Sequence, residues 1–293
     1  MDIIKSYIKG LFTSIRFPLM ILMLYAINFG FAILLATLFF SSMKGAVGQS
    51  LELETVLSRF NYTFFVDLMN QSGEVFKNIF KQIKWFVIIF WFLNIFLSGG
   101  ILQTISKQKF RISDFFAASG RNFFRFLGTS ILNILLHIIV GLIIYVPIFY
   151  IIKALSLGFT TETSYYFMVI IAILLHSFAL GIVIMINDYS KIYFLSNETK
   201  NIFKAFWQSI KFVFSKLLKT YVLFILLILP SFIIFYLYIN LYGDIQMAST
   251  IGIIAMFFIQ QAFIFLRIWL RVWIYSSEIV LTNSLNNPRK EIS

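Results

Sequence analysis

The sequence predicts an all-helical membrane protein. Six transmembrane helices form three hairpins, each preceded by an amphipathic interfacial helix on the cytoplasmic side. Three observations carry this prediction. First, 60% of the 293 residues are hydrophobic and 12% are charged, about half the roughly 25% typical of soluble domains. Second, six apolar runs reach the length of about 20 residues that a helix needs to cross a bilayer. Third, basic residues are distributed unevenly between the segments joining those runs. The mean hydropathy of +0.90 excludes a disordered chain. It also excludes a soluble enzyme, because too little polar surface is left to cover such a core.

The spans cover about 18–40, 85–102, 127–152, 165–186, 221–242 and 247–266, and none contains Asp, Glu, Lys or Arg. No run shows strand alternation, so a β-barrel is not expected. The first run, 23 residues long, exceeds a signal-peptide apolar region and is followed by no small-x-small site, so it is expected to stay as an anchor. Residues 1–293 read as a single transmembrane domain.

Orientation follows from the basic residues. One side carries Lys5, Lys9 and Arg16; Lys107, Lys109, Arg111, Arg121 and Arg125; Lys191, Lys200, Lys204, Lys211, Lys216 and Lys219; and Arg267, Arg271, Arg289 and Lys290. The other carries Lys44, Arg59, Lys77, Lys81, Lys84 and Lys153. The ratio of 18 to 6 places both termini in the cytoplasm. The same rule accounts for the net charge of +12 without a nucleic-acid partner. Cysteine is absent, which excludes disulfides and thiolate metal sites.

The segments before the first, third and fifth spans resemble one another. Ile4, Tyr7, Ile8, Leu11 and Ile15 share a helical face, away from Lys5, Lys9 and Arg16. Phe115, Phe116, Phe123 and Phe126 oppose Asp114, Arg121, Asn122 and Arg125. Phe203, Phe206, Trp207, Ile210, Phe214 and Leu217 oppose Lys204, Gln208, Lys211 and Lys219. This 3.6-residue period with a basic polar face describes helices lying in the headgroup plane. Each copy also holds an apolar residue followed by x-x-Ser-x-basic: Leu11, Ser14, Arg16; Phe116, Ser119, Arg121; Phe206, Ser209, Lys211. The repetition marks a threefold unit, although any basic amphipathic helix before a span would look similar. Arg16, Arg121, Lys204 and Lys211 are the candidate headgroup contacts, and anionic phospholipids the expected partners.

The run from Ala205 through Ser209 to Lys211 follows a polar stretch from Asp188 to Asn201. It resembles a family of uncharacterised bacterial six-helix integral membrane proteins. That layout is similar to the membrane domain attached to some glycerophosphodiester phosphodiesterases. The resemblance implies a module of the bacterial cytoplasmic membrane with no known activity of its own. The phosphodiesterase chemistry belongs to a separate soluble domain, for which this chain leaves no room.

The extracytoplasmic segment 41–84 is expected to form two short amphipathic helices. Val56, Leu57, Phe60, Phe64 and Leu68 lie on the first, and Phe76, Ile79, Phe80 and Ile83 on the second. It would pack on the bundle or receive a protein partner; the cytoplasmic face is the other candidate partner surface. Trp85, Trp207, Trp269 and Trp273 suit an interfacial aromatic belt.

No GxSxG, HExxH, P-loop or CxxC pattern is present, so the chain is not expected to be an enzyme, and no cofactor is expected. Intramembrane polar residues are the functional pointers that remain. His137 lies ten residues past the inner end of span three, and His176 ten residues before the inner end of span four. At 1.5 Å per residue both sit roughly 15 Å deep, so neighbouring antiparallel helices would set them level. Asn133 is one turn from His137. Asn28, Asn94, Gln260 and Gln261 lie at comparable depths in other spans. These seven residues would line a polar pocket, or tie helices together by hydrogen bonds. Pro230 is expected to kink span five.

Two functions remain open. One is a non-enzymatic module that organises lipids or a protein partner. The other is a permease, or the membrane subunit of a transporter.

Overall fold

The computed structural model describes residues 2–47, 66, 73–155, 163–197, 201–245 and 249–286. Among these residues there are eight helices and no strands: α1 (Asp2–Ile15), α2 (Pro18–Val47), α3 (Gly73–Lys107), α4 (Ile112–Leu155), α5 (Thr163–Asn197), α6 (Ile202–Ser215), α7 (Leu217–Asp244) and α8 (Thr250–Asn286). Six of them are long and apolar enough to cross a membrane, within Pro18–Ser41, Ile79–Lys107, Ile112–Ala154, Tyr165–Ser196, Leu217–Gly243 and Thr250–Asn286. The first five apolar runs of the sequence fall inside these helices, and the sixth does so from Thr250 onward.

Local chemistry sets the breaks. Proline fixes φ and disfavours the α region for the residue before it, so α1 ends before Phe17 and Pro18 opens α2. Gln108 ends α3 in the left-handed region, at φ 52°. The Asn201 side chain accepts the Lys204 N–H at 3.2 Å and caps α6. The Ser249 Oγ accepts the Gly252 N–H at 3.0 Å at the start of α8. Pro230 and Pro147 are both accommodated inside continuous helices, in α7 and α4.

Helix lengths differ from expectation in three places. The basic segment before the third span is not a separate helix. It forms the first turns of α4, 44 residues long, because no proline interrupts residues 112–126. Such a helix runs about 66 Å, more than twice a hydrocarbon core of about 30 Å. Residues 73–84 are likewise the start of α3 rather than a surface helix. The expected helix around Val56, Leu57, Phe60, Phe64 and Leu68 lies outside the described residues. α5 and α8 run on past Ile186 and Leu266 to Asn197 and Asn286. Lys191 and Arg271, counted above as loop and tail charges, are therefore helical, and removing them leaves the basic asymmetry in place.

The chain forms two compact units, each discontinuous in sequence. One contains 1–16, 95–230 and 270–293; the other contains 17–94 and 231–269. In the first, α4 packs on α5, and α6 packs on both. Most of the α4 and α5 surface is apolar and exposed, including Ile138, Ile139, Leu142 and Ile143 on α4 and Ile170, Ile173 and Leu174 on α5. A water-soluble protein does not carry such a surface; a lipid-facing one does. In the second unit Phe31 of α2 lies 5.2 Å from Phe86 and 5.3 Å from Phe90 of α3, between ring centroids. Tyr238 of α7 stacks on Phe263 of α8 at 4.7 Å.

Candidate functional site

The serines of the threefold pattern, Ser14, Ser119 and Ser209, are all fully buried at 0% exposure. The cations two positions on, Arg16, Arg121 and Lys211, are all exposed. Small residues let helix backbones approach closely where lipid supplies no hydrophobic drive. A Cβ at Gly99 would lie 3.1 Å from the Ser119 Cα, and one at Gly100 would lie 2.6 Å from the Phe115 ring. On α1 the packed face is Ser6, Gly10, Thr13 and Ser14, whereas Ile4, Ile8, Phe12 and Ile15 are exposed. On α6 the packed face is Ala205, Ser209, Phe212 and Val213, and Phe203, Trp207 and Phe214 are exposed. α4 departs from this pattern. Phe115 and Phe126, expected at the membrane surface, are core residues, whereas Phe116 and Phe124 are exposed.

The candidate headgroup contacts take different positions. Lys204 is exposed near the start of α6. Lys211 sits over the Trp207 ring, 5.8 Å from its centroid. Arg16 lines a cavity described below. Trp85 and Trp207 are exposed as belt residues should be, but Trp273 is buried at 5%. Its indole N–H donates to the Tyr7 carbonyl at 3.0 Å, so it fastens α1 to α8 rather than anchoring in lipid.

His137 and His176 meet across α4 and α5, with ring centroids 5.0 Å apart and edge-on geometry. Tyr145 lies 5.3 Å from His176. Nδ1 of both rings and Oδ1 of Asn133 are buried without a hydrogen-bond partner. Asn28, Asn94, Gln260 and Gln261 belong to the other compact unit. Asn28 and Asn94 donate to carbonyls of their own helices, Leu24 at 2.7 Å and Phe90 at 2.8 Å. Gln261 accepts the Tyr25 hydroxyl at 2.8 Å. Of these bonds, the one from Tyr25 to Gln261 ties α2 to α8, and those of Asn28 and Asn94 stay within one helix.

Sequence reading missed the most charged part of the interior. Asp188 and Lys191 of α5 pair at 3.8 Å, with side chains 14% and 5% exposed. Glu278 of α8, 3% exposed, lies within electrostatic range of both. Arg271 of α8 reaches Asp188 in the same way and sits 5.7 Å from the Tyr275 ring centroid. Oε2 of Glu278, Oδ1 of Asn187 and the hydroxyls of Ser6 and Ser277 have no hydrogen-bond partner. Two acids and two bases balance the charge, as buried ions require. Helical spacing of Asp188 to Lys191 and of Arg271 to Glu278 was a usable signal, but only once α5 and α8 were known to continue beyond the apolar runs.

In the same unit a cavity of about 1290 Å³ opens between α1, the end of α3, the end of α5 and α8. Lys5, Lys9 and Arg16 stand on its α1 wall. No group of three or more His, Asp or Glu suited to a metal occurs among the described residues.

Fold and surface define a multi-pass helical membrane protein. Comparison with protein-family models, with curated proteins and with solved structures found no match.

Proposed function

We propose that the protein is a non-enzymatic membrane module that gathers anionic phospholipids, or a protein partner, at the cytoplasmic face of a bacterial membrane. The observation that carries this reading is the outward aliphatic and aromatic face of α1 and α6, beside exposed basic residues. A basic amphipathic helix of this kind lies in the headgroup plane and attracts anionic lipid. In the proposed arrangement α2–α3, α4–α5 and α7–α8 are the three hairpins. α1, the start of α4 and α6 are the inner-surface helices, and both termini are cytoplasmic. The likeness of residues 205–211 to bacterial six-helix membrane proteins agrees with such a module.

Each basic residue near an anionic surface contributes about 1 kcal/mol. Purification in mild detergent should therefore recover phosphatidylglycerol in excess of its share of the membrane. Lys204→Glu with Lys211→Glu should reduce that excess. Unchanged lipid content in the double variant would count against the reading. Orientation is tested by single cysteines at Ser50, Ser156 and Ser284 in this cysteine-free chain. An impermeant reagent should label the first two from outside and not the third.

A second reading is a permease or a transporter's membrane subunit. The buried cluster of Asp188, Lys191, Arg271 and Glu278 favours it, since ionisable groups inside membrane helices commonly mark ion or substrate paths. Glu278→Gln would then abolish ion-coupled uptake by reconstituted vesicles while the protein still folds.

A further inference from the structure

We propose that His137, His176 and Asn133 form a binding site for a divalent transition-metal ion, zinc being the closest match. This deepens the transporter reading by naming its ion, and rests on that reading for the purpose of the site. Three atoms carry it. Nδ1 of His137, Nδ1 of His176 and Oδ1 of Asn133 are all buried without a hydrogen-bond partner. Buried polar atoms in a native fold have partners as a rule, and a group of three unpartnered ones points to an occupant such as an ion. All three lie on α4 and α5, which pack on one another within one compact unit. Imidazole nitrogens and an amide oxygen offer lone pairs, which is what a metal ion takes.

The spacing of the rings fits one metal between them. With a zinc–nitrogen bond of about 2.0–2.1 Å, the ion stands about 3.2 Å from the centroid of a ligating imidazole. Two such rings with centroids 5.0 Å apart meet at the ion at about 100°, close to the tetrahedral angle that zinc adopts. Asn133 precedes His137 by four residues. This is the step at which two side chains of one helix face share a zinc ion. Two imidazoles and one amide leave the fourth position open, as exchangeable zinc sites do and structural ones do not.

The donor set selects among ions. Imidazole suits zinc and its first-row neighbours, whereas magnesium and calcium ask for six or more oxygens. The chain has no cysteine, so a soft monovalent ion finds no thiolate. The two spans that carry the site contain no Asp or Glu. The ion therefore keeps its charge, and binding is weaker than at a site with a carboxylate. A path through a membrane requires this: its sites hold an ion well enough for it to enter and loosely enough for it to leave. The ion is thus cargo rather than a resident cofactor.

The test uses the full chain in mild detergent, purified without a histidine tag and labelled isotopically at histidine nitrogen. The chain has two histidines, so every imidazole resonance comes from this site. On titration with Zn²⁺ we expect both rings to shift and to saturate at one ion per chain, with no shift on Mg²⁺. His137→Phe and His176→Phe should each weaken zinc binding at least about tenfold, measured by competition with a chromophoric chelator. Asn133→Leu should weaken it, and Asn133→Asp, which adds a charged oxygen at the same place, should tighten it. Imidazole resonances that ignore Zn²⁺ overturn the site, as does undiminished binding in a folded His137→Phe variant. Zinc uptake by vesicles holding the reconstituted protein is read separately. If zinc binds as expected and uptake does not exceed that of empty vesicles, the transporter reading fails and the site stands. If uptake occurs and is unchanged in the His176→Phe variant, the transporter reading stands and the site fails.

Discussion

Gly10 and Ser277 bring α1 and α8 closer than any side chain at position 10 allows. A Cβ on Gly10 would lie 2.6 Å from the Ser277 Cα and overlap the Ser277 hydroxyl. Backbone at that distance cannot turn aside as a flexible side chain can. Gly10→Ala should therefore cost about 1–3 kcal/mol of stability, and Gly10→Leu should detach α1. Thermal unfolding in detergent, followed through Trp273 fluorescence, measures both. A Gly10→Leu variant that melts like the parent would contradict the packing.

The same substitution should have opposite effects at two other glycines. At Gly100 a methyl meets the buried Phe115 ring at 2.6 Å, so Gly100→Ala should lower stability by about 1–3 kcal/mol. At Gly141 nothing lies within 4 Å, so Gly141→Ala should raise it by about 0.5–1 kcal/mol through helix propensity alone. Equal effects at both positions would show that contact, rather than backbone freedom, is not what separates them.

His137 and His176 touch by their rings but leave both Nδ1 atoms unpartnered. A phenyl ring keeps the edge-on contact and removes an unpaired polar atom. His137→Phe should thus be neutral or stabilising by up to about 1 kcal/mol, read as a shift in melting temperature. In the permease reading the same variant would fold and lose uptake. A clear loss of stability would mean that His137 has a polar partner in the membrane.

Removing Lys191 leaves Asp188 with Arg271 and takes away the cation within electrostatic range of Glu278. Lys191→Met should cost about 3–5 kcal/mol, because a buried charge loses its partner. Asp188→Asn combined with Lys191→Met should cost much less than the two single changes added together. A double-mutant cycle in detergent gives the coupling, and a value near zero would show that the 3.8 Å pair carries no energy.

Asp2 accepts from the Lys219 ammonium at 2.7 Å. That hydrogen bond, followed by the attraction of the same charge, holds its carboxyl below the ordinary value. A depressed carboxylate stabilises the fold above its unfolded pKa and loses that contribution as pH falls through the folded one. Both side chains are nearly half exposed, so water screens the pair and the effect is small. Asp2→Asn should melt slightly below the parent at neutral pH, and the gap should close below about pH 4. A gap that widens in acid would reverse the assignment.

The residues of the site were unevenly legible. Equal depth on adjacent spans pointed to the meeting of His137 and His176, because helices packed side by side bring residues of equal depth together. The buried cluster was hidden because Asp188 and Arg271 lie past the ends of the apolar runs, where hydropathy gives no sign that a helix continues. The charge of Lys191 read as a loop cation for the same reason.

The sequence by itself determined six helices long and apolar enough to cross a membrane. Inside lipid every backbone polar group must be satisfied within its own segment, so an uninterrupted apolar run of sufficient length has one solution. It also determined the break at Phe17 and Pro18, where proline geometry acts locally. The tertiary structure alone decided which small residues carry the packing. Ser14, Ser119 and Ser209 look in sequence like part of a polar face, yet all three are buried, Ser119 beneath the glycines of α3 and Ser14 beside Gly10 on the packed face of α1. It also decided that Lys5 and Lys9 share a cavity with Ile279 and Val280. Periodicity tells which residues of one helix share a face. Which distant helix meets that face depends on backbone approach between segments far apart in the chain, and no local pattern encodes that.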